Sequence, residues 1–333
     1  MKFGPVPLEE AEGAILAHSE RLPDGRLRKG QVIGAHDVAR LRAAGLREVT
    51  VARLGPRDVH EDRAAEWLAM ALLDGAAGIH LSAPFTGRVN LIAEGPGVVL
   101  VDAGRVTAAN MLDPMITVAT VAPHMQTHAG GMVATVKIIA YGVDETRLAK
   151  AAEAAKGAIR LALPRYGTAS LIVSDTAEGP GLKGVEAIRA RLTGLGMRLS
   201  QTLSCPHEEP ALADAIAAAT GDIVLILTGS ATSDAHDTAP EALRRAGGRV
   251  DRFGIPVDPG NLLFLGQLGD RPVIGLPNSA RSPVLHGADW VLSRVACGLS
   301  LSAADIAGMG VGGLLKEIPT RPQPRRAGGQ GRM

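Results

Sequence analysis

The chain has 333 residues, enough for two or three domains, and aliphatic side chains supply most of its 46% hydrophobic content because aromatic residues make up only 2%. A net charge of +1, with dispersed basic residues and no interleaved aromatics, argues against binding to nucleic acid or to a membrane surface. Two distant cysteines and the lack of a long apolar segment predict a soluble, cytoplasmic α/β protein.

Residues 1–75 are predicted to form a small α+β unit. Apolar residues from Leu8 to Leu16 have helical spacing, and a second helix is predicted to begin at Asp37 and to end at Gly45. A short strand is predicted from Glu48 to Ala52. Residues 58–75 place apolar side chains on one helical face, which predicts a further helix.

Residues 76–145 are predicted to form a β-rich module, because Gly and Pro separate short alternating or apolar runs. His124 and His128 have an i,i+4 spacing that could place two imidazoles on one metal ion. Neighbouring Pro and Gly residues disfavour a helix there, and no third ligand is near in sequence. We therefore expect loop or hydrogen-bonded histidines.

Residues 146–318 alternate between predicted strands and helices, which indicates a parallel or mixed sheet sandwiched by helices. The clearest strand is Ile223 to Leu227, a continuous apolar run typical of a strand that is buried on both faces. Further strands are predicted at Ser170–Ser174 and Met197–Leu203. Residues 319–333 are rich in Pro, Arg and Gly and are predicted to be a flexible tail.

Three loops follow predicted strands in this half, at residues 174–184, 228–239 and 277–283. Because the carboxyl ends of parallel strands share one crevice, we expect these loops to lie together. Basic side chains, hydroxyls and helix N-termini suit a phosphorylated ligand, and carboxylates suit Mg²⁺. The candidate residues are Asp175, Lys183, Thr228, Gly229, Ser230, Thr232, Asp234, Asp237, Asn278, Ser279, Arg281 and Ser282.

Each candidate also has a purely structural interpretation. Thr232 could cap the helix that follows, and Asp234 could be an exposed acid. The chain has no G-x-G-x-x-G after a first strand and no Walker loop, which disfavours a dinucleotide dehydrogenase or a nucleoside triphosphatase.

Two sequence elements in this half match a known family. Val173-Ser174-Asp175, followed by Lys183-Gly184, looks like the opening of the molybdopterin adenylyltransferases. Thr228-Gly229-Ser230, through Asp237 to Pro240-Glu241-Ala242, is similar to the glycine-rich loop, acidic residue and T-P-E-A element of that family.

A third element resembles the related molybdopterin molybdotransferases. Pro259-Gly260-Asn261 and Gly275-Leu276-Pro277-Asn278-Ser279 are similar to segments of those proteins, and residues 8–55 resemble, more weakly, a region that flanks them. With the three elements in the correct order, residues 168–300 resemble the molybdopterin-binding domain of molybdenum cofactor biosynthesis proteins.

The resemblance implies that the loops bind molybdopterin or its nucleotide form, with Mg²⁺ as a candidate accompanying ion. Asp237 and Asp175 would be the catalytic residues, and Asp237 with Asp234 would bind the metal. The phosphate would be held by Thr228, Gly229, Ser230 and Thr232. Its charge would be neutralised by Lys183 and Arg281. The pterin end would be contacted by Asn278 and Ser279, and Ser282 would also bind the cofactor. A cytidylyltransferase or a molybdoenzyme would be a partner, and a homo-oligomer is expected.

The sequence also departs from the family pattern. The loop reads T-G-S where the families have two adjacent glycines, and Leu182 stands where the adenylyltransferases have an acidic residue. Both departures favour a protein that binds the pterin without chemistry, while Asp237 and the intact Pro-Glu-Ala element keep adenylyl or molybdate transfer as the alternative. A sugar-phosphate or nucleotide enzyme on the same sheet is a further alternative.

Overall fold

The computed structural model describes residues 1–177 and 179–315. The chain divides into two compact units, one formed by residues 1–95 and 99–161 and the other by residues 96–98 and the chain from 162 onward. The domain boundaries expected at residues 75 and 145 stay predictions, and the tail expected at 319–333 lies outside the described residues. No helix in the described ranges is both long enough and apolar enough to cross a bilayer.

The first unit begins with two small antiparallel sheets. Strands β1, β5 and β2 form one in the order β1-β5-β2, and β3 pairs with β4 in the other. The elements are β1 (Lys2–Pro7), β2 (Ile15–Leu16), β3 (Glu20–Leu22), β4 (Gly25–Leu27), α1 (Ala35–Ala43) and β5 (Glu48–Arg53).

The helix predicted from Leu8 to Leu16 is wrong. A 3-10 turn spans only Leu8–Glu10, and β2 follows. Gly13 has a φ of 76°, and its N–H donates to the Ile33 carbonyl at 2.8 Å. This left-handed glycine ends the helical spacing and turns the chain into the sheet.

The rest of the first unit combines short sheets with three helices. Strand orders are β10-β12-β8-β7, β11-β9-β14 and β13-β6, and a shared aliphatic core lies under α2 and α4. The helix α3 inside the β-rich module was not predicted. The elements are β6 (Asp58–His60), α2 (Glu61–Leu73), β7 (Ile79–Leu81), β8 (Arg88–Ala93), β9 (Gly97–Val101), α3 (Ala103–Leu112), β10 (Ile116–Thr120), β11 (Gln126–Thr127), β12 (Met132–Ile138), β13 (Gly142–Asp144), α4 (Glu145–Ala155) and β14 (Ile159–Ala162).

The second unit is built on a six-stranded mixed sheet in the order β16-β15-β17-β20-β19-β18. The first four strands are parallel, and β19 and β18 add to the edge in antiparallel fashion. The elements are β15 (Thr168–Asp175), α5 (Val185–Thr193), β16 (Arg198–Pro206), α6 (Glu209–Ala218), β17 (Ile223–Leu227), α7 (Thr238–Arg245), β18 (Arg249–Phe253), β19 (Phe264–Leu268), β20 (Arg271–Leu276), a 3-10 turn (Asn278–Arg281), α8 (Gly287–Ala296) and α9 (Ala303–Gly308).

All five residues of β17 are buried, and they alternate between two cores. Leu225 packs with α5 and α8 residues such as Ile188 and Val291 on one face. Ile226 packs with α6 and α7 residues such as Ile216 on the other. This arrangement confirms the prediction of a mixed sheet sandwiched by helices, with smaller antiparallel sheets earlier in the chain.

The strand order creates a switch point between β15 and β17. From β15 the chain moves through α5 to β16 on one side, and then passes through α6 to β17 on the other side of β15. At such a reversal the connections diverge and leave a crevice at the carboxyl ends of the two strands. The residues at these ends are Asp175 and Thr228.

Candidate functional site

The three predicted loops meet at the carboxyl edge of the parallel strands. Gly229, which follows β17, lies against the end of β15, since a Cβ built on Gly229 would lie 2.9 Å from the Asp175 Cα. A Cβ on Gly184, which has a φ of +96°, would lie 2.7 Å from the Arg281 Cα. Both glycines are therefore required where one loop packs against another.

Arg281 links all three loops. Its Nη1 donates to the carbonyl oxygens of Gly181, at 3.0 Å, and Lys183, and its Nη2 donates to the Thr228 carbonyl at 3.0 Å. Burial lowers the pKa of this guanidinium, and the nearby charge of Asp175 opposes that shift. The predicted role of Arg281 was charge neutralisation at a ligand, and the structure shows that its donors fix the loops.

Asn278 makes a second link between loops. With its amide oriented to satisfy both neighbours, its Nδ2 donates to the Thr228 carbonyl at 2.7 Å and its Oδ1 accepts from the Ala231 N–H at 3.3 Å. The Thr228 carbonyl therefore accepts from both Asn278 and Arg281. The loop after β17 is held in place by the turn that follows β20.

Some polar groups of the T-G-S loop form hydrogen bonds within the loop itself. Thr228 is buried, and its hydroxyl donates to the Ser230 carbonyl at 2.6 Å, so this proton is committed within the loop. Ser230 is exposed, and Thr232 is buried. Ser230 thus presents an exposed hydroxyl in this loop, as Ser233 does.

Asp237 caps helix α7. Its Oδ1 accepts from the Thr238 N–H at 2.7 Å, and its Oδ2 accepts from the Ser233 N–H at 2.8 Å. Burial alone would raise the pKa of Asp237, but these two donors and the charge of His207 outweigh it and lower the pKa below the usual value. The alternative that Thr232 caps this helix is wrong, because Asp237 is the N-cap residue and its side chain accepts from the first helical N–H.

Asp175 and Lys183 lie in the loop after β15. The Asp175 Oδ1 accepts from the Thr176 N–H at 3.0 Å, and a Cβ on Gly179 would lie 1.8 Å from this oxygen. The glycine-rich loop therefore wraps closely around the carboxylate. Lys183 is exposed, and only its backbone takes part in the loop contacts above.

Ser279 and Ser282 lie in and after the 3-10 turn, and both are exposed. The Ser279 Oγ is 2.6 Å from Nε2 of the buried His286, whose Nδ1 accepts from the Ala288 N–H at 3.0 Å. A neutral His286 must then carry its proton on Nε2 and donate to Ser279. This leaves the Ser279 hydroxyl proton to donate elsewhere.

His207 is a site residue that the sequence analysis missed. It follows β16, its N–H donates to the Asp175 carbonyl at 2.8 Å, and its Nδ1 is 2.9 Å from the Oγ of the buried Ser174. Its charge contributes to the lowered pKa of Asp237. The predicted β16 ended at Leu203, whereas the strand runs to Pro206 and brings His207 to the same edge.

These residues do not form a convincing magnesium site. Both carboxylate oxygens of Asp237 accept backbone N–H groups, and the Asp234 Oδ1 accepts from the His236 N–H at 2.8 Å. Across residues 1–177 and 179–315 no three His, Cys, Asp or Glu side chains are grouped as metal ligands. His124 lies in a turn with a φ of 63°, and the strand β11 separates it from His128.

Exposed polar side chains remain in the three loops. They include the ammonium group of Lys183 and the hydroxyls of Ser230 and Ser279. Groups of these kinds donate hydrogen bonds to phosphate oxygens.

Comparisons with known proteins give a partial likeness. Residues 5–53 match the family model described as Domain of unknown function (DUF8806). No curated protein sequence matches the chain.

Three solved structures that the chain matches with low TM-scores are proteins of molybdenum cofactor biosynthesis. The molybdopterin biosynthesis MoeA protein from Pyrococcus horikosii is 16% identical, with 83% of this chain and 70% of that chain covered and a TM-score of 0.28. Molybdenum cofactor biosynthesis protein B is 14% identical, with 39% and 88% covered and a TM-score of 0.27. A molybdenum cofactor biosynthesis protein from Pyrococcus furiosus is 13% identical, with 92% and 65% covered and a TM-score of 0.25. The chain thus bears a distant structural resemblance to molybdenum cofactor biosynthesis proteins.

Proposed function

We propose that this protein binds molybdopterin, free or in nucleotide form, at the carboxyl edge of the six-stranded sheet, and acts in making or handling the molybdenum cofactor. The observation that carries the proposal is the meeting of the three motif-bearing loops at the switch point, where Arg281 donates to the Gly181, Lys183 and Thr228 carbonyls. Ligands bind at this position in open α/β sheets.

The exposed groups at the edge have distinct roles in the proposal. Lys183 pairs with the terminal phosphate, and the Ser230 hydroxyl donates a further hydrogen bond. Ser279, whose oxygen accepts from His286, donates its proton to the pterin end next to Asn278. Arg281 and Asn278 keep the loops in the geometry that such a ligand needs, so that little ordering is required on binding.

We favour binding over group transfer because of Asp237. Its two oxygens already accept from Ser233 and Thr238, and the lowered pKa keeps the carboxylate ionised at neutral pH. A capping carboxylate in this state is poorly placed to act as a base or to take a metal ion. The proposal therefore contains no step that passes through Mg²⁺.

Lys183 gives the sharpest binding test. Titration of the full chain with molybdopterin under anaerobic conditions, followed by pterin fluorescence or calorimetry, should give a saturable complex. We expect Lys183→Ala to raise the dissociation constant about tenfold or more, because a hydrogen bond to a charged group contributes roughly 1.5–3 kcal/mol. Lys150→Ala, which removes an exposed lysine of α4, is the matched control and should bind as the wild type does.

Absence of binding in the wild type, or equal losses in Lys183→Ala and Lys150→Ala, would contradict the proposal. The transferase alternative has its own readout, which is release of AMP or pyrophosphate from ATP when molybdopterin is present. If the wild type shows this turnover, and Asp237→Ala abolishes it while pterin binding persists, the protein is a transferase and the binding-only proposal is wrong. We expect no such turnover.

A further inference from the structure

A separate cavity lies at the opposite end of the six-stranded sheet. Its volume is about 410 Å³, within the range of small-molecule sites. Arg165 and Tyr166 precede β15, Pro272 lies at the start of β20, and Leu299 follows α8. Because β15 has eight residues, this cavity is about 26 Å along the strand from the loops at the carboxyl edge.

Part of the cavity wall is apolar. Its wall includes Leu265 of β19, Val295 of α8, Leu301 and the buried Ile306 of α9. Leu265, Val295 and Leu301 are only partly buried by the protein itself, although they pack on the core beneath. An apolar ligand body would remove their remaining exposed surface from water, which favours binding.

Arg165 is fixed at the mouth of this cavity. Its N–H donates to the Ala296 carbonyl at 2.8 Å, and its guanidinium carbon is 5.8 Å from the centroid of the Tyr166 ring. A Cβ on Gly298, which has a φ of +69°, would lie 2.9 Å from the Arg165 Cδ, so the side chain packs directly on that glycine. The guanidinium is therefore positioned before any ligand arrives.

The mouth carries an excess of positive charge. Arg252 also lines it, held by a hydrogen bond of 2.9 Å from its Nε to the Gly254 carbonyl. The one lining carboxylate, Asp251, is paired with Arg249 at 2.7 Å. Within residues 1–177 and 179–315, no carboxylate lies within ion-pair distance of Arg165.

We propose that this cavity binds a small amphipathic anion, with an aromatic or alkyl body against the leucines and a carboxylate, sulfonate or phosphate at Arg165. The site is independent of the proposed molybdopterin function, since it shares no residue with the carboxyl edge. A guanidinium that is already stacked and packed recognises such an anionic group in a fixed orientation.

Two matched fluorescent probes test the charge requirement. Anilinonaphthalene sulfonate and N-phenyl-1-naphthylamine share the same apolar body, and only the first carries an anion. With the full chain we expect one saturable site for the sulfonate, with an affinity at least about tenfold above that of the neutral probe. Equal affinities for the two probes would overturn the proposal.

Variants locate the site. Arg165→Gln should abolish the preference for the sulfonate, whereas Arg160→Gln, at an exposed arginine of β14, and Lys183→Ala should keep it. Ser300→Trp, at an exposed position of the cavity wall, should exclude both probes even if Arg165→Gln fails to fold. A preference that survives Arg165→Gln, or sulfonate binding that survives Ser300→Trp, would place the site elsewhere and refute the proposal. If Lys183→Ala loses molybdopterin binding but keeps the preference for the sulfonate, the two sites are independent and the proposal for this cavity stands.

Discussion

The two compact units use buried charge in different ways. In the first unit two carboxylates are buried: Glu61, at the start of α2, lies 3.7 Å from Lys137, and Asp113 lies 3.0 Å from Arg147. Burial raises the pKa of Glu61, and the charge of Lys137 only partly opposes that shift. In the second unit the largely or partly buried guanidinium groups of Arg191 and Arg281 each donate to several backbone carbonyls.

This difference shows what stabilises loops beside a parallel sheet. A guanidinium has five donors in a rigid fork and keeps its charge at physiological pH, so one side chain can hold two or three loops. A carboxylate with one distant partner contributes less and depends on pH. In the second unit Arg281 and Arg191 therefore hold the loops of the candidate site at any physiological pH, whereas the Glu61 pair of the first unit responds to titration.

The largest expected effect is at Arg191. Its side chain is only 8% exposed; its Nε lies 2.5 Å from Oδ1 of Asp289, and its Nη atoms donate to the Ala280 and Ser282 carbonyls. Arg191→Ala leaves the carboxylate of Asp289, which is only 17% exposed, without its partner, and we expect it to lower the free energy of unfolding by about 3–5 kcal/mol. Chemical denaturation measures this loss. Arg189→Ala, at an exposed arginine of the same helix, should cost at most about 0.5 kcal/mol, and similar losses for both would contradict the account.

Gly229 should show the next largest effect. A Cβ there meets the Asp175 Cα at 2.9 Å and the Thr176 N at 3.0 Å, both of which are backbone atoms that cannot rotate away. We expect Gly229→Ala to cost about 1–3 kcal/mol and to weaken pterin binding. Gly308→Ala is the control, because a Cβ at this α9 glycine meets nothing within 4 Å and alanine favours the helix. A neutral Gly229→Ala would show that the loops do not pack as described.

Asp237 should show a smaller, pH-dependent effect. Because its pKa in the folded state lies below the ordinary value of 3.8, its capping bonds add stability above that pH and lose it as pH falls through the folded pKa. We expect Asp237→Ala to cost about 0.5–2 kcal/mol at pH 7, and less as the pH is lowered below 3.8. Unfolding curves at several pH values measure this. A cost that does not vary with pH would contradict the assignment of the cap to the ionised carboxylate.

The smallest expected effect is at Glu61, and its sign is opposite. Burial raises its pKa above the ordinary 4.5, so the folded state holds the proton more tightly than the unfolded chain does. As the pH rises past 4.5, ionisation therefore favours unfolding, and the wild type should lose stability relative to Glu61→Gln. Thermal unfolding from pH 4 to pH 7 measures how much more stable Glu61→Gln is than the wild type. If this stability difference shrinks as the pH rises, the burial argument is refuted.

The elements that could be predicted from sequence are those with strong local patterns. The apolar run of β17 is predicted with its observed ends, Ile223 and Leu227, because a strand buried on both faces leaves no ambiguity of face. The helix expected at Leu8–Leu16 does not form because Gly13 adopts a φ of 76°, which apolar spacing alone does not indicate. The helix α3 was missed because its surroundings are rich in turn residues and short strands.

The site could be predicted only in outline. The strand-end rule brought residues about 100 positions apart in sequence, such as Lys183 and Arg281, to one edge. It could not tell which polar groups contact other loops, because the Thr228 hydroxyl, the Arg281 guanidinium and the Asp237 carboxylate find partners that depend on the packed loops. The place of His207 in the site could not be predicted for a similar reason, because it depends on where β16 ends.

Hydrogen–deuterium exchange with and without molybdopterin tests the central claim most directly. If the three loops form one binding site, the ligand should slow exchange together in peptides that cover 179–184, 228–237 and 277–283, while peptides of α2 and α4 in the first unit stay unchanged. Protection confined to one loop, or found only outside the carboxyl edge of the sheet, would contradict the claim.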